Sequence, residues 1–231
     1  MAAAEAKVPI DLAITVVISE VASDGEDISS GTDEPYATLI AKQHGYPHHI
    51  VRMTAAELVA AMLPFCVRVL ECFDGMQLRN SMVVAAALHE AKELGCTQVL
   101  TGDAADELLG GYSFTWGSEE PVWSEKRADL VSAWYFSGPI MGQALGVGSD
   151  SPYMEEAFVQ WALSTRKEDC IGGAEIHAKP RDKPEQHTAG KLPLRRAYPD
   201  AISAWRRKDP IEKGSGSVRL SDPAFWANSV E

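Results

Sequence analysis

The sequence predicts an α/β protein on three observations: a short β-prone run leading into an acid-rich helix start, two Ala-rich stretches with helical periodicity, and a size suited to one core. The run is Thr97-Gln98-Val99-Leu100. It is followed by Thr101-Gly102 and small alanines, which reads as a buried strand ending in a tight turn. A helix then starts, with Asp103 or Ala104 near its N-cap and Asp106 and Glu107 in its first turn. Those carboxylates lie by the positive end of the helix, at the carboxyl edge of the sheet, where open α/β sheets bind ligands. Three acids in five residues at that edge suit a metal-bound phosphate. Helix capping alone accounts for the acids but leaves Gly110-Gly111-Tyr112 without a reason.

The segments Ala55 to Leu70 and Met82 to Leu94 carry apolar residues three and four apart, which predicts amphipathic helices packed on the sheet. Trp116, Trp123, Trp134 and Trp161 read as core or partner-facing residues of a C-terminal helical part, packing being preferred to cofactor stacking. The acid-rich stretch Ser23 to Glu34 and the Gly/Lys/Pro-rich stretch Gly172 to Gly190 show no periodicity and read as loops, the second as a candidate for disorder. No internal repeat is visible.

At 231 residues and 45% hydrophobic, the chain can bury a sizeable core, and no apolar run reaches the roughly 20 residues of a membrane span. The formal net charge of −12 argues against a nucleic-acid surface and favours a small-molecule site with local positive charge. Cys66, Cys72, Cys96 and Cys170 lie far apart without a Cys-x-x-Cys pair, so buried free thiols are expected rather than a zinc site or a disulfide framework. The start, Met1 to Ala6, has no long apolar stretch for a secretory signal and predicts an intracellular, cytoplasmic protein. His48 and His49 are adjacent in a predicted strand and point to opposite faces, so they cannot easily share a metal.

The string Leu100-Thr-Gly-Asp-Ala-Ala-Asp-Glu-Leu-Leu-Gly-Gly-Tyr112 resembles the signature Gly-Glu-Gly-Ala/Ser-Asp-Glu-Leu/Val-Phe-Gly-Gly-Tyr of the asparagine synthetase family's synthetase domain. Trp205-Arg-Arg-Lys208-Asp-Pro-Ile-Glu-Lys-Gly214-Ser-Gly216 resembles the same family's Trp-Arg-x-Lys-Glu-x-Phe-x-x-Gly-x-Gly. Two weaker stretches fall in family order. Phe73-Asp-Gly-Met-Gln-Leu-Arg79-Asn-Ser81 is similar to Tyr-Asp-x-x-x-Ile-Arg-x-Ser, and Gly146 to Met154 is a degraded Gly-x-Glu-x-Arg-x-Pro-Phe-Leu-Asp without its Glu and Arg.

The resemblance implies a Rossmann-like parallel sheet flanked by helices, of the adenine nucleotide alpha hydrolase type, with a C-terminal helical part. It divides residues 1–231 into an α/β nucleotide-binding part, about 10–115, and a helical part with a closing loop, about 116–217. It implies ATP and Mg2+ as cofactors, with Asp106 on the metal, Lys208 on the phosphates and Asp103 beside the attacking amine. Asp103 replaces the family's Glu and is one methylene shorter. Thr101, Gly102, Gly214 and Gly216 would complete the nucleotide contacts, Val17 on the strand Leu12 to Ile18 would face adenine, and Arg79 would contact substrate or phosphate. On residue type alone, Arg79 would equally be a salt-bridged helix residue, and Arg206, Arg207 and Lys208 a solvated basic patch.

The family's Ser-Gly-Gly-x-Asp-Ser loop does not occur in the sequence; the run Ser23 to Ser29 is similar only in outline and reads as surface. A sheet built without that loop's strand would pair its neighbours directly, or take a strand from another segment or chain, or the N-terminal part of the gene product is absent. Ala2 stands where a glutaminase cysteine would follow the initiator methionine, so ammonia would come free or from a partner protein. Two functions fit. One is ATP-dependent amide formation through an acyl adenylate, such as aspartate plus ammonia to asparagine; the other is a non-catalytic or truncated relative that keeps the fold and binds nucleotide or a protein.

Overall fold

The computed structural model describes residues 2–19, 32–177 and 182–227, so the run Ser23 to Ser29 lies outside the described residues. In chain order the elements are α1 (Ala2–Glu5), β1 (Ala13–Ile18), α2 (Glu34–His44), β2 (His48–Met53), α3 (Ala55–Leu70) and α4 (Gly75–Glu93). Next come β3 (Gln98–Leu100), α5 (Ala105–Leu108), α6 (Val122–Ser132), α7 (Ser137–Leu145) and β4 (Gly148–Asp150). The chain continues with α8 (Glu156–Ser164), α9 (Lys167–Cys170), β5 (Gly172–Ile176), β6 (Glu185–Ala189), α10 (Leu192–Ala197), α11 (Ile211–Ser215) and α12 (Pro223–Ala227). Among the described residues the protein is mixed α/β and 54% helical. No helix among the described residues is long and apolar enough to cross a membrane.

Two compact units share the chain. The first comprises 100–136 and 149–208; the second comprises 2–99, 137–148 and 209–231.

The second unit is built on the parallel pair β1–β2, registered Ala13 to His48 through Ile18 to Met53, with α2 as the crossover. Helix α3 starts where the alanine-rich periodicity predicts, because Thr54 and Glu57 form a reciprocal capping box: the Thr54 hydroxyl accepts from the Glu57 N–H and the Glu57 carboxylate accepts from the Thr54 N–H. Helix α4 begins seven residues before Met82, since Asp74 caps it by accepting from the Gln77 N–H at 2.7 Å. Its buried face runs Leu78, Met82, Ala85, Ala86 and Leu88, packed with Val16, Ile18, Leu58, Cys66, Met141 and Leu220 in one core. Each large side chain fully buried there contributes about 1.5–3 kcal/mol. His48 meets Thr15 at 2.9 Å while His49 pairs with Glu90 at 2.8 Å, so the two imidazoles take separate partners on opposite faces of β2.

In the first unit, Trp123 is fully buried among Leu108, Leu109, Ala162, Cys170 and Ile171, with Trp116 and Trp134 packed against this cluster, while Trp161 stays half-exposed beside Phe158. Arg127 is buried over the Trp123 ring. It donates to the carbonyls of Ala162, Leu163 and Thr165 at the end of α8, of which that of Ala162 also accepts from the Thr165 N–H and hydroxyl.

Three expectations are corrected, and one alternative for the sheet is not seen. The stretch Gly172 to Gly190 is not a loop throughout: β5 and β6 form an antiparallel hairpin with Gly172 opposite Ala189 and Ile176 opposite Glu185. Strand β3 is not buried, since Gln98 and Leu100 are exposed; it pairs only with β4 among the described residues. Of the alternatives for the sheet, direct pairing of β1 with β3 is not seen among the described residues, whose strands form three two-stranded sheets, β1–β2, β3–β4 and β5–β6. Only Cys66 and Cys170 are buried; Cys72 and Cys96, near helix ends, are half-buried.

Candidate active site

The signature string leaves β3, turns through Gly102 and enters α5, whose N-cap Ala104 takes a left-handed φ of 72°. Helix α5 has four residues, so its dipole is small, and the electrostatics of Asp106 must come from side chains instead. Asp103 accepts from the Thr101 hydroxyl at 2.8 Å, and its backbone carbonyl accepts from the Ser151 hydroxyl at 2.7 Å. The degraded stretch after β4 therefore braces the signature turn.

The Gly110-Gly111 pair now has a physical reason. Gly110 has a φ of 68°, and a Cβ on Gly111 would lie 1.7 Å from Asp106 Oδ1. Glycine is needed because the backbone wraps the Asp106 carboxylate, and the Gly111 N–H donates to the Asp106 carbonyl at 2.8 Å. The β5–β6 hairpin then packs on this wrap: a Cβ on Gly190 would lie 2.0 Å from the Gly110 carbonyl oxygen.

Two ammonium groups converge on Asp106 Oδ1, Lys191 Nζ at 3.1 Å and Lys208 Nζ at 3.6 Å. That oxygen is shielded from solvent and has no aligned hydrogen-bond donor, so the attraction is chiefly electrostatic. Arg195 sets the geometry. Its guanidinium donates to the carbonyls of Gly190 and Arg206, at 2.9 and 3.0 Å, and to that of Ala204, stapling the turn before Lys191 to the segment before Lys208. Burial lowers the Arg195 pKa and the Asp106 charge opposes that shift. The bridge between His177 and Arg206 aligns the same segment with the end of β5.

Lys208 also lies 4.9 Å from the centroid of the Tyr112 ring, and the Tyr112 hydroxyl donates to Glu107 at 2.6 Å. Burial, the Glu107 hydrogen bond and the three nearby acids push the Tyr112 pKa far up, so it stays neutral. A cavity of about 190 Å³ opens beside this group, lined by Gly111, Trp116, Lys191, Arg195, Arg207 and Lys208 among others. A basic pocket thus lies in a chain of net charge −12.

No cluster of three or more potential metal ligands occurs among the described residues, and Asp106 offers one carboxylate. That donor set fits Mg2+, which takes one or two carboxylates plus substrate phosphates, rather than a metal held wholly by protein.

Of the residues singled out in the sequence, Thr101, Gly102, Asp103, Asp106 and Lys208 lie in the first unit, and the last two meet. Val17, Arg79, Gly214 and Gly216 lie in the second unit. Val17 is fully buried, so its side chain presents no surface; Arg79 Nε, on α4, is buried without a hydrogen-bond partner. Gly214 and Gly216 are explained by packing. Cβ atoms there would meet the Asp33 carboxylate at 2.7 Å and the Ile18 carbonyl oxygen at 2.3 Å. Lys191 and Arg195 are absent from the sequence-derived set, having no glycine-flanked motif of their own to mark them.

Comparison with known proteins bears directly on this arrangement. The asparagine synthase family model matches residues 13–132, just over half of the chain, a span that ends after the signature. Among curated proteins, the chain is 24% identical over 185 residues to asparagine synthetase B (glutamine-hydrolyzing) of Escherichia coli strain K12, covering 78% of this chain and 32% of that protein. The glutamine-hydrolyzing asparagine synthetase of Brassica oleracea is 24% identical over 189 residues, covering 77% of this chain and 30% of its own length. Asparagine synthetase 1 of Arabidopsis thaliana is 23% identical over 189 residues, with the same coverages of 77% and 30%. The chain spans about a third of the length of these relatives. A family model covering just over half the chain, and relatives matched over most of it, agree with the two motifs quoted from the sequence, and the chain belongs to the asparagine synthase family.

Proposed function

We propose that the chain catalyses ATP-dependent amide formation through an acyl adenylate, converting aspartate and ammonia to asparagine, AMP and pyrophosphate. One observation carries the reading: Asp106 and Lys208, from two motifs about a hundred residues apart in sequence, face each other across 3.6 Å beside a basic cavity. The parallel β1-α2-β2 unit supports the finer fold reading, a Rossmann-like sheet flanked by helices.

In the proposed reaction a carboxylate oxygen of aspartate attacks the α-phosphorus of ATP, and the bond to the β-phosphate oxygen breaks. Lys208 neutralises charge on the departing pyrophosphate, a role that pre-positioned charge fills without reorganisation. Asp106 holds Mg2+ together with the phosphates; the metal supplies charge neutralisation on the polyphosphate when bound. Ammonia then attacks the acyl carbon, AMP leaves and the amine proton is lost, with Asp103 the nearby carboxylate of the signature turn and Thr101 fixing its orientation. Thr101 and Gly102 belong to the nucleotide contacts in this reading; Val17 through its backbone, Gly214, Gly216 and Arg79 are candidates on the second unit. A partner protein supplies ammonia where free ammonia is scarce.

The test is calorimetric titration of Mg-ATP into the parent, Asp106→Ala and Lys208→Ala, followed by pyrophosphate release with aspartate and ammonia. Binding lost in both variants, with release by the parent, is expected. Binding without release overturns the synthetase reading in favour of a nucleotide-binding relative, and no binding overturns both.

A further inference from the structure

We propose that the outer edge of β5, with the groove beside it, docks an extended peptide segment of a partner protein that alternates apolar and basic side chains. The inference goes beyond the reaction proposed above and uses none of the residues assigned to it.

Backbone geometry is the first ground. Strand β6 covers one edge of β5, from Gly172 opposite Ala189 to Ile176 opposite Glu185. At the other edge the His177 N–H donates to the Trp205 carbonyl and the Arg207 N–H donates to the His177 carbonyl, both at 2.9 Å, so 205–207 runs parallel to the end of the strand. Backbone groups of alternate residues point to one edge, so those of Gly173 and Glu175 face the same way as those of His177. The pairing goes no further because the chain before Trp205 coils: the Ala204 N–H donates to the Ala201 carbonyl and the Arg206 N–H to that of Ser203. Among the described residues, no strand lies against Gly173 and Glu175 on that edge. Such a row of donors and acceptors is a template for another extended chain.

The groove is the second ground. It has a volume of about 430 Å³ and is lined by Ala174, Glu175, Pro184, Leu192, Arg196 and Trp205 among others, all in the first unit. Ala174 and Trp205 are half-buried and pack on the small core of the hairpin, which gives the groove an apolar floor. The Trp205 indole N–H is taken by the Pro199 carbonyl at 3.0 Å, so its ring face is left for apolar contact. On the other face of the strand, a Cβ at Gly173 would have nothing within 4 Å. A slot between a strand edge and a helix admits one extended chain. It does not admit the same edge of a second copy, which would be recessed beside its own α10 and Trp205.

Charge is the third ground. Glu175 lies opposite the neutral Gln186, on the face away from Ala174 and Ile176. Glu185 is paired with His187 at 3.4 Å, whereas Glu175 and Arg196 are exposed and make no ion pair among the described residues. An incoming strand puts alternate side chains on the two faces, so its apolar set meets the floor and its other set meets Glu175, which selects Lys or Arg. Arg196, on the helix wall of the groove, takes a carboxylate such as a free C-terminus. The net charge of −12 draws a basic segment in.

Fluorescence anisotropy on the full chain tests this, with N-terminally labelled Val-Lys-Val-Lys-Val carrying a free C-terminal carboxylate as the probe. Gly173→Pro removes an outward donor and leaves the β5–β6 ladder bonds in place, and it should weaken binding about tenfold, one hydrogen bond plus the bulk of the ring. Glu175→Gln and Arg196→Gln should each weaken it about 2- to 5-fold, the range of an exposed ion pair. A C-terminally amidated probe should lose as much as Arg196→Gln does, and the two losses should not add. Hydrogen exchange at the Gly173 and Glu175 amides should slow when the probe binds.

Circular dichroism checks that the variants fold, and a probe N-methylated at its central valine reads the same backbone bonds should Gly173→Pro misfold. Three results each overturn the proposal. One is no probe binding at millimolar concentration. Another is equal binding by Gly173→Pro and by the N-methylated probe, which would mark adsorption to an acidic surface. The third is a dimer in sedimentation that Gly173→Pro abolishes, which would give the edge to a second copy.

Discussion

Replacing Gly111 by alanine puts a methyl group where the Asp106 carboxylate now sits. The new Cβ would lie 1.7 Å from Oδ1, 2.6 Å from Cγ and 2.8 Å from the Asp106 Cα. Turning the carboxylate relieves the first two contacts, but only by moving it off Lys191 and Lys208. The third contact is with backbone, and the 2.8 Å bond from the Gly111 N–H to the Asp106 carbonyl ties the two residues together. Overpacking of this kind costs about 1–3 kcal/mol. For a chain of 231 residues, each kcal/mol lowers the Tm by about 2–4 °C, which gives a fall of about 2–12 °C.

Differential scanning calorimetry reads this directly, with Gly102→Ala as the control, since nothing lies within 4 Å of a Cβ at Gly102. That control should stay within about 0.5 kcal/mol of the parent. Combining Gly111→Ala with Asp106→Ala removes the carboxylate clash, so the two losses should be non-additive by more than about 0.5 kcal/mol. Additive losses, or a Gly111→Ala Tm equal to that of Gly102→Ala, would refute the idea that the glycine exists to seat Asp106.

Two further outcomes are expected. Arg127→Met should lower stability by about 2–5 kcal/mol in urea unfolding, because it takes the donor from the part-buried carbonyls of Leu163 and Thr165, while that of Ala162 keeps Thr165, and Arg127→Lys should recover less than half, since one ammonium cannot replace a planar fork. His89 packs edge-on against Phe65 at 4.8 Å, with its pKa lowered from 6.5 by burial first and by Lys92 second, against an opposing pull from Glu93. The unfolded chain therefore binds the proton more readily, so the contribution of neutral His89 is present above about pH 6.5 and is lost as pH falls through the window beneath it. Tm measured from about pH 7 to pH 5 should fall less steeply in His89→Gln than in the parent; parallel slopes would remove His89 as a source of acid sensitivity.

How far the sequence revealed this molecule depended on which residues carried a local reason for their place. Helix α3 was legible to the residue, because a threonine cap and a three-to-four apolar spacing both act locally. Asp106 and Lys208 were legible through the motifs around them, and their meeting was implied by neither motif alone. The β5–β6 hairpin was hidden because its strands are short and polar. Only Ala174 and Ile176 of β5 and Ala189 of β6 join a small core with Leu192 and Trp205, and a period-two pattern this thin is lost among Gly, Lys and Pro. Strand β3 misled in the opposite direction, since its apolar run implies a buried strand, whereas Gln98 and Leu100 are exposed and β4 is its single pairing partner among the described residues. Lys191 carried no signal, because its place is set by a turn packed on Gly110 and by the Arg195 staple, contacts remote in sequence.

The route of the chain through the second unit also has a consequence for how the protein is made. Leu220 is fully buried in a core whose other buried members all precede Gly148, and the Gly214-Ser215-Gly216 turn closes on Ile18 and Asp33 from nearly two hundred residues earlier. At roughly 5–20 residues per second, a ribosome that has finished Val99 needs about 6–24 s more to reach Leu220. During that interval, the core that holds Leu58, Met82 and Leu88 lacks Leu220 and the Phe225 and Trp226 rings that pack against it, so the nascent chain carries an open oily face. Deleting 214–227 should accordingly shift the product from the supernatant to the pellet far more than a cut of equal length at an exposed end.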